Sequence, residues 1–185
     1  MKGTIKGLWA VFFVFTWSGI ASAADYTIDA SHSGVIFKVK HLGISTVTGR
    51  FEKFEGSFSY DPKNLKASKV EAKIEAASIN TDSPKRDEHL KTADFFDVEK
   101  FPDVTFVSKA IKDARKDKFK IVGDLTMHGV TKSVVLDAET GGTVKDPWGN
   151  MRAAFTAATT INRKDFGLVW NKLLETGGMV VGEDV

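Results

Sequence analysis

Apolar and polar residues alternate with a period of two through most of the chain after Asp25. Val35, Phe37, Val39 and His41 share one face, with Ile36, Lys38 and Lys40 on the other. Phe54, Gly56, Phe58 and Tyr60 alternate with Glu55, Ser57 and Ser59, and Val70, Ala72, Ile74 and Ala76 with Glu71, Lys73 and Glu75. Successive side chains of a strand point to opposite faces, so this spacing predicts strands with one buried and one wet face. Further strands are predicted over residues 104–109, 118–127, 131–138 and 151–161.

Turn chemistry separates these runs. Asp61-Pro62-Lys63-Asn64 and Asp146-Pro147-Trp148-Gly149-Asn150 place proline where a β-turn needs its fixed φ. His128-Gly129 and Gly141-Gly142 mark two more joints between strands. One segment breaks the pattern. Ser83 reads as a helix N-cap, Pro84 as its first residue, and Asp87 and Glu88 suit the first turns, which predicts a short helix from Pro84 to about Thr92. A second helical turn is predicted to start at Asp97 and to end before Pro102. Many short antiparallel strands with tight joints make the chain all-β, a sandwich or a barrel, in a single domain over residues 24–185.

The inward faces combine large and small residues. Gly56, Ala72, Ala76, Gly123, Ala153 and Ala157 lie among Phe54, Phe58, Ile74, Ile121, Leu125 and Phe155. A barrel of eight strands is just wide enough to be filled by its own side chains or to hold one small ligand. Small inward residues favour an open interior, whereas large neighbours leaning over them would fill it. Residue types alone leave both readings open.

The N-terminus has its own pattern. Lys2 and Lys6 precede an apolar run from Leu8 to Phe15, and Ala21-Ser22-Ala23 forms an A-x-A site before Ala24. These are the three parts of a cleavable secretory signal, residues 1–23, and the apolar run is too short for the roughly 20 residues of a membrane span. The expected fate is export across a membrane with cleavage of the signal. Export also changes the charge: the whole chain has 26 Lys plus Arg against 24 Asp plus Glu, and without Lys2 and Lys6 the two are equal. No clustered basic face for nucleic acid is therefore expected. The absence of cysteine excludes thiol catalysis and thiolate metal sites.

Several blocks recur in an order that resembles a known family. They are Lys40-His41-Leu42-Gly43, Gly49-Arg50-Phe51 opening the next strand, Arg86-Asp87-Glu88-His89-Leu90, Asp94-Phe95-Phe96-Asp97 and Phe101-Pro102. Gly123-Asp124-Leu125-Thr126 with Gly129-Val130-Thr131-Lys132, and Arg163-Lys164-Asp165-Phe166-Gly167, complete the set. From about Asp25 to the C-terminus the chain resembles the YceI-like family of bacterial periplasmic proteins. The resemblance implies a lipocalin-like, extended antiparallel β-barrel with an apolar tunnel. It also implies a binder of polyisoprenoid chains, of the quinone or prenyl-phosphate type, or of other long-chain amphiphiles. No agreed catalytic residues come with it. Family members usually continue past the Gly177-Gly178 segment with one more strand of roughly ten residues, which would cover an open edge. Here the chain stops at Val185, so either the form is shortened or its last strand is short, and barrel closure is in question.

The expected activity is binding or carriage of a long apolar ligand, with no cofactor, no metal and no catalysis. Phe37, Val39, Phe54, Phe58 and Ile74 would line the ligand space, joined by Phe106, Ile121, Leu125, Phe155 and Ala157. Arg50 and Arg163 are candidates to clamp a phosphate head group, against surface pairing with Glu52 and Asp165. The four histidines, His32, His41, His89 and His128, lack metal-ligand spacing and read as surface or turn residues. Leu90, Phe95 and Phe96 would form either a lid or ordinary core at one end. Trp148 and Trp170 would suit transient contact with the inner-membrane surface. A lipid-modifying enzyme and a stress-protective protein with a filled barrel are the alternatives. A dimer is compatible with the sequence.

Overall fold

The computed structural model describes residues 24–61, 64–175 and 177–185. The predicted signal and the Pro62-Lys63 part of the first predicted turn lie outside the described residues. The strands are β1 (Ala24–Thr27), β2 (Val35–His41), β3 (Ser45–Phe51), β4 (Phe54–Tyr60), β5 (Lys69–Glu75) and β6 (Ile79–Asn80). Helix α1 (Pro84–Lys91) follows, then β7 (Asp103–Arg115), β8 (Lys118–Met127), β9 (Val130–Lys145) and β10 (Met151–Ala158). Among the described residues, seven strands pair in the order β1-β4-β5-β7-β8-β9-β10 and three in the order β2-β3-β6. Every pairing is antiparallel.

The two sheets are one ribbon folded at a corner. β3 runs into β4 across Glu52-Lys53, and β5 runs into β6 across a 3-10 turn at Ala76–Ser78. Backbone hydrogen bonds continue through the bend, from Glu52 N to Ser78 O (3.1 Å) and from Glu75 N to Lys53 O (3.0 Å). Strands that switch sheets at such a break make the corners of orthogonal packings. The result is an all-β, nearly closed antiparallel barrel.

Two seams complete it. At the first, β10 comes round to β1 and β4. Phe155 packs edge-on against Phe58 and Tyr60, with ring centroids 4.3 and 5.0 Å away. Arg152 there reaches Asp29 at 3.4 Å and Asp146 at 2.9 Å. At the second, residues 180–185 act as a strap. Leu42 N donates to Val180 O and Gly182 N to Lys40 O, while Ile161 and Val185 exchange both hydrogen bonds at 2.9 Å. The strap thus ties the end of β2 to the chain beyond β10, where the sequence left closure in question. Arg163 holds it from beneath. The residue is 4% exposed, and its guanidinium donates to the carbonyls of Gly182 (2.8 Å), Leu168 and Val181 (3.5 Å).

Helix α1 forms as predicted, with Pro84 in its first turn, although the Ser83 side chain makes no cap. Asp87 instead accepts from Thr81 N at 2.9 Å and from the Thr81 hydroxyl. Two local expectations change. Gly141-Gly142 is no joint: it is a bulge inside β9, where the register with β10 shifts and Gly142 has φ +91°. Gly49-Arg50-Phe51 ends β3 instead of opening a strand. The single turn expected at Asp97 is present: Lys100 and Phe101 N–H groups both bond Asp97 O at 2.9 Å, and Asp97 itself has φ 45°. His128-Gly129 is a two-residue hairpin turn with both residues at positive φ, 51° and 72°.

Two tests follow from the seams. Asp29 accepts hydrogen bonds from the Ser31 hydroxyl and from His32, which lower its pKa from 3.8 to about 2. A depressed carboxylate contributes stability above its unfolded value and loses it as pH falls through the folded one. Asp29→Asn is therefore expected to lower the urea midpoint at neutral pH and to leave it nearly unchanged near pH 2, so that the fall between pH 3.8 and about 2 is flattened. An unchanged acid limb would exclude this contribution. For Arg163→Met, the stranded carbonyls are expected to cost about 2–4 kcal/mol, read by urea unfolding. Hydrogen exchange should then quicken first at Leu42, Gly182 and Val185, and a uniform increase over all strands would refute the strap.

Candidate functional site

The barrel interior is the candidate site, and its wall is built by strand parity. Inward residues form two buried clusters. One contains Ala76, Val104, Met127, Phe166 and Leu168, at the end that carries the β8–β9 turn. The other contains Phe106, Ile111, Phe119, Ile121 and Ala138. Leu125 and Val134 pack against both, so the apolar wall is continuous from one to the other. Outward positions carry exposed cross-strand ion pairs such as Lys120–Asp137 and Lys118–Glu139.

The small inward glycines are not gaps. A Cβ on Gly123 would stand 2.5 Å from the Phe106 ring and 2.6 Å from Val107 O. On Gly49 it would stand 2.3 Å from the Phe37 ring, and on Gly56 2.8 Å from Ile28 Cδ1. Each glycine is the seat of a large neighbour, and glycine is used because backbone and ring approach so closely there. Ala76 is likewise fully covered, whereas Ala153 is half-buried and Ala157 exposed.

Burial along the predicted lining is uneven. Phe106 and Ile121 are buried at 7% and 5% exposure. Phe37, Val39, Phe54, Phe58, Ile74, Leu125 and Phe155 point inward but are only half-buried. The aromatic contacts Phe37–Phe51 and Phe51–Phe96, at 5.6 and 5.8 Å, carry the wall toward the segment after α1. Phe95 is buried and packs on Trp170 and His89, so Phe95 and Phe96 are core at that end. Ala157 borders a cleft of about 400 Å³ with Phe119 and Ala138 in its floor. Asp113, Arg115, Lys118, Lys120, Asp137 and Glu139 form its charged rim. A groove of about 540 Å³, lined mostly by outward residues such as Glu55, Glu71, Lys73 and Thr105, crosses β4, β5 and β7 and touches Phe54 and Phe106.

The two arginines are not brought together. Arg50 is half exposed and pairs with Asp82 (3.1 Å) and Glu52 (3.4 Å). The Asp82 hydrogen bond comes first in raising its pKa. Arg163 is engaged with the strap carbonyls and not with Asp165; burial lowers its pKa, and Glu183 partly offsets this. Sequence reasoning had no means of pairing Arg50 with a residue of the β6–α1 loop, or of seeing that Arg163 faces inward from a 3-10 turn. The charged rim was missed too, because bulges in β7 interrupt the alternation before Asp113 and Arg115.

The histidines take separate places. His89 bonds Asp94 at 2.8 Å, His128 bonds Phe166 O at 3.2 Å, and His41 ends β2 opposite Val181. Ser31, His32 and Asp29 do meet, in an exposed turn. Both the hydroxyl and the carboxylate lie against His32 Nδ1, each at 3.0 Å. A catalytic triad needs them on opposite ring nitrogens. This trio braces the loop before β2 and is not a nucleophile with its base.

Comparison with known proteins agrees with this architecture. The YceI-like domain matches residues 26–185. A UPF0312 protein of Vibrio cholerae is 45% identical over 150 residues, covering 80% of this chain and 79% of its own. The crystal structure of a Campylobacter jejuni YCEI protein is 41% identical with a TM-score of 0.63, covering 77% of this chain and 83% of its own. Two more distant structures share the fold. Burkholderia cenocepacia BcnA has a TM-score of 0.73 at 24% identity, over 85% of this chain and 93% of its own. A polyisoprenoid binding domain from Saccharophagus degradans has a TM-score of 0.53 at 17% identity, over 80% and 82%. With that domain matched over nearly all described residues and relatives this similar along most of their length, the chain belongs to the YceI-like family.

Proposed function

We propose that this protein is an exported binding protein that encloses one long apolar or amphiphilic chain in its barrel without converting it. A polyisoprenoid, an isoprenoid quinone or a fatty chain fits the description. The uneven burial of the interior carries the proposal. Seven inward residues, five of them aromatic or isoleucine, stay half-buried, although Ile74, Leu125 and Phe155 among them pack against the buried clusters. In a barrel filled by its own side chains such residues would be covered, since protein interiors pack as densely as organic crystals. Partial accessibility of an apolar wall marks a place for apolar cargo.

The energetics are adequate. Each buried CH₂ is worth about 0.8 kcal/mol, so about ten carbons approach micromolar affinity before the costs of association. A wall of this kind selects length and girth more than head-group chemistry. The Saccharophagus degradans domain, described as polyisoprenoid binding, has the same fold and supports the ligand class. The n-region, apolar run and A-x-A site before Ala24 support export to the periplasm.

Organic extracts of natively purified protein should contain a long-chain lipid by mass spectrometry, and the stripped protein should take up added isoprenoid. Ala157→Phe places a ring in the 400 Å³ cleft from an exposed position. It is expected to reduce uptake about tenfold or more, the loss of one well-filled apolar contact, with the thermal midpoint unchanged. Repeated absence of lipid together with no uptake would sink the proposal.

A further inference from the structure

The β9–β10 hairpin is built unlike the rest of the barrel. Pairing with β8 ends at Glu139, and Thr140 N bonds Asp117 O. Beyond the Gly141-Gly142 bulge, and among the described residues, β9 pairs with β10 alone, up to Lys145 opposite Met151. The overhanging ribbon carries large apolar side chains in water: Trp148 is 82% exposed, Val144 64% and Met151 53%. Pro147 beside them is exposed as well.

The turn that presents Trp148 is held firmly from behind. Asp146 accepts from Trp148 N at 3.0 Å, Asn150 N at 2.8 Å and Arg152 Nε at 2.9 Å. Burial opposes these hydrogen bonds, which nonetheless win and lower the Asp146 pKa. The carboxylate at the tip is thus paired with Arg152, which it shares with Asp29. Lys145, exposed, has no ion pair among the described residues. The tip therefore shows an indole, a proline, two aliphatic side chains and one uncompensated positive charge. Trp170, the other tryptophan after Asp25, is instead packed on His89 and Phe95, with ring centroids 4.9 and 5.2 Å away.

We infer that the Val144–Met151 tip is a docking element that seats Trp148 in the head-group layer of an anionic lipid bilayer. Indole is amphipathic and accumulates at that depth. A fixed turn loses little conformational freedom on insertion. The unpaired lysine complements acidic phospholipid, and the carboxylate that would oppose it is already paired with Arg152. The ribbon also continues through the bulge into the part of β10 that carries Phe155 and Ala157. A docked tip would hold that wall close to the bilayer. The inference rests on the lipid-binding reading for its purpose but not for its geometry.

The test uses protein recovered from the exported fraction. Vesicles of phosphatidylethanolamine with phosphatidylglycerol are compared with phosphatidylcholine alone, by co-sedimentation. In a Trp170→Phe background, the Trp148 emission is expected to shift to the blue with anionic vesicles. Trp148→Ser should weaken co-sedimentation about tenfold, as expected for withdrawing one large apolar side chain from the interface. Lys145→Glu should weaken binding to the anionic vesicles selectively. Ile44→Ser, altering the exposed tip of the β2–β3 hairpin (87%), should leave binding unchanged. Vesicle binding by Trp148→Ser equal to the parent, no binding by the parent, or a Trp148-dependent dimer in sedimentation velocity without vesicle binding would each overturn the inference. Uptake of isoprenoid from detergent micelles separates the two ideas. Trp148→Ser should keep micellar uptake and lose transfer from vesicles. A parent that takes up nothing yet still docks through Trp148 would refute the cargo and leave the docking element standing.

Discussion

An antiparallel sheet with one continuous apolar face must cover that face and find partners for its edge strands. In this protein a single curvature answers both needs. The corner at Glu52-Lys53 and Ala76–Ser78 turns two strands from one sheet into the other without breaking the ladder. That turn brings the inward rows to face each other, and it brings β10 round to β1 and β4. The remaining gap is crossed by aromatic contacts around Phe155 and by the strap at residues 180–185. Arg163 is the price of the second crossing: a buried cation whose guanidinium donates to three carbonyls, of which Gly182 O and Leu168 O have no other donor among the described residues. The continuous inner wall presupposes these closures.

Inside, close approach and incomplete cover coexist. Glycines under Phe37, Phe106 and Ile28 allow ring and side-chain layers to sit directly on the backbone. These seats fix the positions of the large residues and use up the space that small residues would otherwise leave. Seating does not guarantee cover: Phe106 is buried, whereas Phe37 stays half-buried, as do Val39 on β2, Phe54 and Phe58 on β4 and Phe155 on β10. For the proposed cargo, an apolar wall with its ion pairs outside would select by shape, because it has few buried donors or acceptors to leave unsatisfied by a wrong ligand.

Much of this architecture was legible in the sequence because period two is a local signal. Val35–His41, Phe54–Tyr60 and Lys118–Met127 were read within a residue or so of their ends, and Pro84 marked the helix. What was missed depended on distant partners. β1 and β6 are four and two residues long and exist because β4 and β3 offer them an edge. Gly141-Gly142 looked like a joint because glycine pairs usually are, and only the pairing with Ala154 shows a bulge. Small inward residues suggested space, yet a glycine and the ring above it come from different strands, so the sequence shows the vacancy and not its occupant. Arg163 misled for the same reason. Its partners are carbonyls, which have no signature in side-chain pattern.

The same logic separates the barrel wall from the hairpin beyond it. Within the wall, apolar residues are covered to the extent that neighbouring strands reach them. β8 ends before β9 does, so the outer part of β9 and β10 has no wall to join. A ribbon left over from barrel closure would ordinarily be polar, because isolated hairpins gain nothing from exposing hydrocarbon to water. Here the most exposed tryptophan of the described chain sits at its end, braced by Asp146 and Arg152. Arg152 also reaches Asp29 across the first seam. One side chain therefore joins the closure of the barrel to the shape of the turn, so the Trp148 tip is oriented by the fold itself and not merely attached to it.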